Sequence, residues 1–176
     1  MGLSNLLKRI LYFGPRLTFV AFLMYLFAVM ALGNFDMFEP YLYPLHAAQR
    51  TITAYGDRIT IGHYPSIQEL KRLKRERHVE IDISLLDEEM PQERALNQRL
   101  AKNAAPLGIQ VIRLPLNYLD LNGKKNAKTI ADVADFVEKN RSKNIYIHCY
   151  LGRHRVGVVR EELIRRGVIR QNTGKP

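Results

Sequence analysis

Cysteine is almost absent from this sequence, which limits the ways in which the fold can be held together. Cys149 is the only cysteine among 176 residues, so no disulfide can form within the chain. The fold must therefore rest on an apolar core. The one thiol is then either a small buried core residue or a reactive group.

Acidic residues are missing from one end of the chain. Three of the 27 lysines and arginines (Lys8, Arg9 and Arg16) and none of the 17 acids lie in the first 33 residues, so the rest carries 24 basic and 17 acidic side chains, a net +7. This balance favours anionic partners, namely phosphorylated small molecules or anionic lipid surfaces. No nucleic-acid-binding motif is present, so no nucleic-acid partner is expected.

Charge is also absent from residues 17–35, which form a long apolar run after the basic segment 1–16. About 20 apolar residues suffice for a helix to span a bilayer, so the run predicts one transmembrane helix. Basic residues precede it, and Asp36 and Glu39 follow it, which places the N-terminus in the cytoplasm and the following domain on the non-cytoplasmic, periplasmic side. The small residues Ala31-Leu32-Gly33 also suit a cleaved signal peptide, and an organelle-targeting segment is a further alternative.

Residues 36–52 show no clear periodicity and contain Pro40 and Pro44. They are interpreted as a juxtamembrane linker; an extension that packs on the domain is the alternative. The domain itself is expected to comprise residues 53–176.

Within that domain, strand patterns alternate with helix patterns. Ser66 and Glu69 form a capping-box pattern at one helix start. This alternation predicts an α/β fold, a mostly parallel central sheet flanked by helices and preceded by one transmembrane helix. The predicted strands are 58–61, 79–85, 109–114 and 144–147, and the predicted helices are 67–77, 91 to about 105, 129–139 and 156–166.

Cys149 lies between the last strand pattern and the last helix pattern. A loop that enters a helix N-terminus directs backbone N–H groups and the positive end of the helix dipole at one point, which suits a phosphate dianion. The same field stabilises a thiolate, so Cys149 is expected to be nucleophilic at neutral pH. Arg155 offers a planar fork for two phosphate oxygens, and Gly152 lets the backbone turn tightly.

The pattern His148-Cys149-x-x-Gly152-x-x-Arg155 resembles the Cys-x5-Arg signature of the protein tyrosine and dual-specificity phosphatase superfamily. Arg153-His154-Arg155, followed by Gly157, is similar to the form found in atypical dual-specificity phosphatases that act on inositol pyrophosphates, and a basic residue at Arg153 is similar to phosphoinositide phosphatases. The resemblance covers roughly residues 53–170.

This resemblance implies a phosphatase that hydrolyses phosphate monoesters through a phosphocysteine intermediate, without metal or cofactor. Cys149 would be the nucleophile, Arg155 would bind phosphate, and His148 would organise the loop. Asp120, the only acid in the loop 114–123, is the candidate general acid, although many relatives place it nearer the position of Asn117 and a turn-forming aspartate is the alternative. The implied phosphate-binding set is Tyr150, Leu151, Gly152, Arg153, His154 and Arg155.

The substrate is expected to be an anionic non-protein molecule, such as a lipid phosphate or inositol phosphate, or else a phosphoprotein. Two departures from the family pattern qualify this expectation. Val156 stands where most relatives carry Ser or Thr, which predicts slow release of phosphate, and the short stretch after the last helix predicts an abbreviated pocket wall. The alternatives are a membrane-anchored phosphate-binding pseudophosphatase and sulfur chemistry like that of rhodaneses or arsenate reductases.

Overall fold

The computed structural model describes residues 3–46, 52–121 and 123–170 of the chain. The end of the predicted linker (residues 47–51), Asn122 and the C-terminal residues 171–176 lie outside these ranges. The predictions for those residues therefore stay predictions.

A five-stranded sheet with the order β1-β2-β5-β3-β4 forms the centre of the domain. β1 pairs with β2 in antiparallel fashion, and the other three strand pairs are parallel, which confirms the predicted mostly parallel α/β sheet. The sequence did not predict β1, a short, partly exposed edge strand whose four residues carry little periodicity. The strands are β1 (Ile52–Tyr55), β2 (Ile59–His63), β3 (Ile81–Ser84), β4 (Gln110–Arg113) and β5 (Ile145–Cys149).

Four helices cover the sheet: α3 (Ile67–Arg77), α4 (Pro91–Ala104), α5 (Lys124–Lys139) and α6 (His154–Arg165). The predicted capping box of α3 is confirmed, because the Ser66 hydroxyl accepts a hydrogen bond from the backbone N–H of Glu69 (3.2 Å), whose carboxylate accepts one from the N–H of Ser66 (2.8 Å). α5 begins five residues earlier than predicted and α6 two residues earlier. The first residues of both helices are polar, so their apolar periodicity starts later than the backbone helix does.

Each face of the sheet has its own hydrophobic core. Apolar side chains of β2, β3 and β5 pack with α5 and α6 on one face, where Ile147, Val133 and Val159 are fully buried. The other face holds α3 and α4, whose Leu70 and Leu96 are buried against Tyr146. Burial on both faces explains the nearly continuous apolar runs of the central strands.

Two helices precede the sheet: α1 (Leu3–Gly33) and α2 (Phe35–His46). Within α1, Gly14–Gly33 is long and apolar enough to cross a membrane, with a mean hydropathy of 1.9 and none of its span buried. A signal sequence has the same properties, so one N-terminal apolar helix is what the structure shows.

The segment interpreted as a juxtamembrane linker is helical over Phe35–His46, and α2 packs against α4. The Arg99 side chain donates a hydrogen bond to the carbonyl of Asp36, and Glu39 is buried. The alternative interpretation, an extension that packs on the domain, agrees with these contacts, which a periodicity search within the segment cannot reveal.

Candidate active site

The candidate site lies at the carboxyl edge of the parallel strands, where ligands bind in open α/β sheets. β5, the central strand, ends at Cys149 and leads into residues 149–155, called here the Cys149 loop. Strand-like pairing continues beyond the sheet, since the N–H of Leu85 donates to the carbonyl of His148 (2.9 Å) and that of Tyr64 to the carbonyl of Tyr150 (3.1 Å). Residues that follow the two neighbouring strands thus bind the backbone carbonyls on either side of Cys149.

The Cys149 loop enters α6 without a side-chain cap. Arg153 occupies the N-cap position and makes no capping hydrogen bond, so the first N–H groups of the helix are available to a ligand. Gly152 adopts a positive φ of 72°, a conformation that glycine tolerates and that turns the backbone back towards the helix. The loop therefore has the backbone geometry that the sequence predicted for an anion cradle.

Arg155 is buried and held by a carboxylate that the sequence analysis missed. Its two terminal nitrogens donate to the two oxygens of Glu93 at 2.7 and 2.5 Å, and one of them also contacts the carbonyl of Leu85 at 3.2 Å. Burial lowers the pKa of the Arg155 guanidinium, but the hydrogen bonds and charge of Glu93, together with Cys149, outweigh this and raise that pKa. Arg155 is thus a fixed positive charge.

The pairing with Glu93 leaves part of the guanidinium for another anion. A guanidinium has five N–H donors. Among the described residues, none accepts a hydrogen bond from Nε of Arg155, and Glu93 takes only one from Nη2. One edge of the fork can therefore still bind phosphate oxygens while the other edge stays locked.

A cavity of about 180 Å³, called here the Cys149 cavity, opens above Cys149. Cys149 is buried, with 4% of its surface exposed, so a substrate must enter this cavity to reach the thiol. The volume suits a phosphate group with a small part of its alcohol. The lining residues are Glu93, Tyr118, Cys149, Tyr150, Leu151, His154 and Arg155.

The structure brings most of the predicted phosphate-binding residues to this cavity. Tyr150, Leu151, His154 and Arg155 line it, whereas Gly152 and Arg153 line a separate cavity on the other side of the loop. The predicted set therefore divides into two groups, a division that depends on the path of the backbone through Gly152.

Asp120 is not among the residues that line the Cys149 cavity. It is exposed, and its carboxylate lies against the backbone of Gly123 within the β4–α5 loop (residues 114–123). Tyr118, two residues earlier, reaches the cavity instead, with its ring 5.8 Å from the His154 ring and 6.0 Å from the Arg155 guanidinium carbon. The β4–α5 loop thus borders the Cys149 cavity through Tyr118, while the carboxylate of Asp120 lies outside the cavity.

Asn126 in the first turn of α5 fastens this loop. Its amide nitrogen donates to the carbonyls of Asn117 (2.8 Å) and Asp120 (2.7 Å), and its oxygen accepts from the N–H of Asn117 (2.9 Å). Because Asn126 is 2% exposed, these bonds are shielded from water. The base of the loop is fixed, while the side chains of Leu119 and Asp120 are exposed to solvent.

His148 points away from Cys149, towards the face of the sheet that carries α3 and α4. Its ring stacks on Tyr146 at 5.7 Å and meets the edge of Tyr64 at 5.8 Å. Burial raises the pKa of the Tyr64 hydroxyl, which remains neutral and donates to the carbonyl of Leu96. Any effect of His148 on the thiol must therefore pass through the backbone, whose carbonyl is bonded to Leu85.

Asp82 is the charged partner of His148. Both side chains are fully buried, and Oδ1 of Asp82 lies 3.0 Å from Nε2 of His148. The two atoms are close enough for an ion pair, but their orientation does not meet hydrogen-bond geometry, and among the described residues no other group bonds to either carboxylate oxygen. A buried carboxylate is costly without a polar partner, and the imidazole of His148 lies within contact distance of it.

Sequence reasoning missed Glu93, Tyr118 and Asp82 as parts of the site. Glu93 has the pattern of an ordinary acid in the first turn of a helix, and Tyr118 that of a loop aromatic. Asp82 alternates with isoleucines, the pattern of a strand with one exposed face, and it is buried because helices cover both faces of this sheet. Among the described residues, no group of three or more His, Cys, Asp or Glu could hold a metal ion.

Comparison with known proteins supports the fold. No family profile matches the sequence, and no curated protein matches it. Among solved structures, the chain is similar to a putative phosphatase (DUF442) from Shewanella putrefaciens CN-32, with 14% identity over 68% of this chain and 71% of that chain and a TM-score of 0.55.

Two further structures show the same likeness. The core catalytic domain of the PP-IP phosphatase SIW14 from S. cerevisiae, solved with citrate, has 19% identity over 67% of this chain and 65% of that chain, with a TM-score of 0.51. PTPMT1 has 19% identity over 65% and 72%, also with a TM-score of 0.51. This chain therefore shares its fold with these phosphatase structures.

Proposed function

We propose that this protein is a cysteine-dependent phosphatase that hydrolyses phosphate monoesters. The observation that carries the proposal is the buried Arg155, held by Glu93 with one edge still open, beside Cys149 at an uncapped helix N-terminus. A fixed cation and an uncapped helix N-terminus near a thiol match the charge that develops on a phosphoryl group during transfer.

In the proposed reaction the sulfur of Cys149 attacks phosphorus, and the bond from phosphorus to the ester oxygen breaks. The alcohol oxygen takes a proton, for which Asp120 is the proposed donor. Water then attacks the phosphocysteine, which releases inorganic phosphate and returns the thiolate. Because the carboxylate of Asp120 rests against Gly123, donation requires that it rotate towards the Cys149 cavity.

The proposed substrate is anionic and not a protein, a lipid phosphate or an inositol phosphate. The net charge of +7 beyond residue 33 supports an anionic substrate. A contact between Phe35, the first residue of α2, and Tyr150 of the Cys149 loop places the loop next to the segment that follows the apolar helix, with ring centroids 6.2 Å apart. This proximity favours a substrate presented at a membrane surface.

We further propose that α1 anchors the protein in a membrane, with the N-terminus in the cytoplasm and the domain on the periplasmic side. The support is the apolar length of Gly14–Gly33 and the distribution of charge around it. The extent of protease digestion in intact spheroplasts measures the topology, since a periplasmic domain is cleaved without lysis.

The test of function is phosphate release by the full-length chain in detergent, measured with lipid phosphates, inositol phosphates and phosphopeptides. We expect Cys149→Ser to lose all turnover, and retained activity in this variant would overturn the mechanism. Because Cys149 is the only cysteine, the rate of alkylation by iodoacetamide measures the reactivity of this thiol alone. Bound inorganic phosphate should slow the alkylation of Cys149.

A pseudophosphatase is the second candidate, and Val156 favours it. Valine has no hydroxyl to assist loss of phosphate from the cysteine. The Val156 side chain is 3% exposed and belongs to the hydrophobic core. Rapid mixing with substrate separates the two functions. A burst of product equal to the enzyme concentration, with phosphoryl mass on Cys149, supports an enzyme limited by its second step, and tight phosphate binding without a burst supports a binding protein.

A further inference from the structure

The helix α2 has an apolar and aromatic face that nothing in the described part of the chain covers. Met37, Phe38 and Tyr41 are exposed over 65%, 40% and 81% of their surfaces. They stand at positions i, i+1 and i+4, so they lie within about 100° of one another around the helix axis. We call these three side chains the outer face of α2. A cluster of large exposed side chains of this kind marks a surface that contacts a partner or a lipid.

The opposite side of α2 packs on the domain. Glu39 is buried there, and the backbone carbonyl of Asp36 accepts a hydrogen bond from Arg99 of α4. A surface helix of a globular protein normally buries an apolar stripe and exposes its polar residues. In α2 an acid is buried, whereas Met37 and Tyr41 are exposed. This reversal indicates that the outer face does not meet water in the environment for which the helix is built.

Only Asn34 separates α2 from the apolar helix α1. Its N–H donates to the carbonyl of Met30 at 3.1 Å, and its carbonyl accepts from the N–H of Met37 at 2.9 Å. Met37 therefore lies about one helical turn, roughly 5 Å, beyond the apolar span Gly14–Gly33. The head-group layer on each side of a bilayer is about 5–8 Å thick. If α1 spans the membrane, the outer face of α2 begins within this layer.

The side chains of the outer face suit lipid better than a protein partner. Aromatic rings enter the boundary between head groups and acyl chains, and a tyrosine hydroxyl stays at the polar level. Glu39, which the head-group boundary would exclude, is buried on the other side of the helix. A partner protein or a second copy of the chain would have to approach a surface that the bilayer already borders.

We propose that α2 lies in the head-group layer of the membrane that α1 enters, with Met37, Phe38 and Tyr41 inserted among the lipids. This proposal rests on the proposed membrane location of α1 and adds a second contact with the bilayer. Phe35, on the inner side of α2, meets Tyr150 of the Cys149 loop with ring centroids 6.2 Å apart. The docked helix thus holds the Cys149 loop about one helix diameter, roughly 10 Å, from the lipid.

The test uses fluorescence of the full-length chain in nanodiscs of phosphatidylcholine. Cys149→Ser removes the only cysteine, and Met37→Cys or Tyr41→Cys then supplies a single site for a bimane label. Quenching is measured with aqueous iodide and with a phosphatidylcholine that carries a spin label on its head group. We expect the spin-labelled lipid to quench both labels and iodide to quench neither.

Lys139→Cys in the same background is the matched control. Lys139 is exposed at the end of α5, a helix on the face of the sheet opposite to α4, and its label should be quenched by iodide alone. Labels at Met37 and Tyr41 that iodide quenches as strongly as this one would overturn the proposal, since the outer face would then meet water. Labels protected from both quenchers would overturn it too, because protein, such as a second copy of the chain, would then cover the outer face.

A label introduced by Leu23→Cys, near the middle of the apolar span, separates this proposal from the membrane anchor. It is measured with a lipid that carries its spin label deep in the acyl chain. Quenching at Leu23 without quenching at Tyr41 leaves the anchor and removes the docked α2, and the converse leaves α2 docked and removes the anchor. None of these measurements requires turnover, so a failure of the proposed phosphatase chemistry leaves their outcome unchanged.

Discussion

The Cys149 loop and the β4–α5 loop face the same cavity, but the fold holds them in different ways. In the Cys149 loop, Arg155 is buried and fixed by Glu93, and the backbone is bonded to neighbouring strands. In the β4–α5 loop the backbone is bonded to Asn126, while the side chains of Asp120 and Leu119 are exposed. The groups proposed to bind phosphate are held in place, whereas the side chain of the proposed proton donor is exposed.

The difference between the two loops has a physical reason. Binding a dianion requires charges that do not have to reorganise during the reaction, which favours buried and fully bonded groups. A proton donor acts on the leaving oxygen after the substrate has entered. A loop with a bonded backbone and exposed side chains allows the carboxylate of Asp120 to turn towards a substrate that has entered.

The largest expected effect comes from Glu93→Gln. This change leaves the buried guanidinium of Arg155 without its carboxylate, and loss of one partner of a buried pair costs about 3–5 kcal/mol in the free energy of unfolding. With Arg155 misplaced, kcat/KM should fall about 100-fold. Denaturant unfolding and steady-state kinetics measure the two losses.

The matched control is Glu76→Gln, which breaks an exposed pair with Arg75. It should change the unfolding free energy by less than about 1 kcal/mol and leave kcat/KM unchanged. A Glu93→Gln enzyme as active and as stable as wild type would show that the Cys149 loop does not depend on this pair.

Asp120→Asn tests the proton-donor role proposed for the β4–α5 loop. If Asp120 protonates the leaving group, kcat/KM for an alkyl phosphate should fall about 100-fold, and the loss should shrink for p-nitrophenyl phosphate, whose leaving group needs little assistance. Asp132→Asn, at an exposed position on α5, is the control and should have no effect. Equal losses for both substrates would exclude Asp120 as the acid.

Val156→Thr should accelerate the second chemical step about fivefold, because one added hydrogen bond to the departing thiolate is worth about 1 kcal/mol. The hydroxyl enters the core beside Cys149, so a modest loss of stability is expected with it. Rapid-quench measurement of phosphocysteine decay follows this step directly. Val156→Ala controls for the change in packing and should not accelerate decay.

The smallest expected effect at neutral pH concerns Glu69, which accepts a hydrogen bond from His63 at the end of β2. Burial raises the pKa of the Glu69 carboxyl, but hydrogen bonds from His63 and Ser66 outweigh it and lower that pKa from 4.5 to about 2. The ionised form therefore stabilises the fold above pH 4.5, and this stabilisation is lost as the pH falls towards 2.

Thermal unfolding as a function of pH checks this expectation. Glu69→Gln should lower the Tm at pH 7 and flatten its dependence on pH in the acid range. An unchanged slope would mean that other carboxylates carry the acid sensitivity of the fold.

Much of the fold could be predicted because its signals are local. The four strand and four helix patterns of the domain correspond to elements of the structure, and the capping box at Ser66 lies within four residues. β1 escaped prediction because a short edge strand is stabilised by its partner, β2. α2 escaped because its helix depends on packing against α4, as the bond between Arg99 and the carbonyl of Asp36 shows.

What the sequence by itself determined about this protein is the Cys149 loop, in which Cys149, Gly152 and Arg155 stand at fixed short spacings between a strand and a helix. Only the tertiary structure decided what surrounds it. Glu93 meets Arg155 from 62 positions away in the chain, and Tyr64, whose N–H donates to the carbonyl of Tyr150, comes from a still more distant stretch. Spacing along the chain sets local backbone geometry, whereas burial, ion pairing and cavities arise only when distant segments pack together.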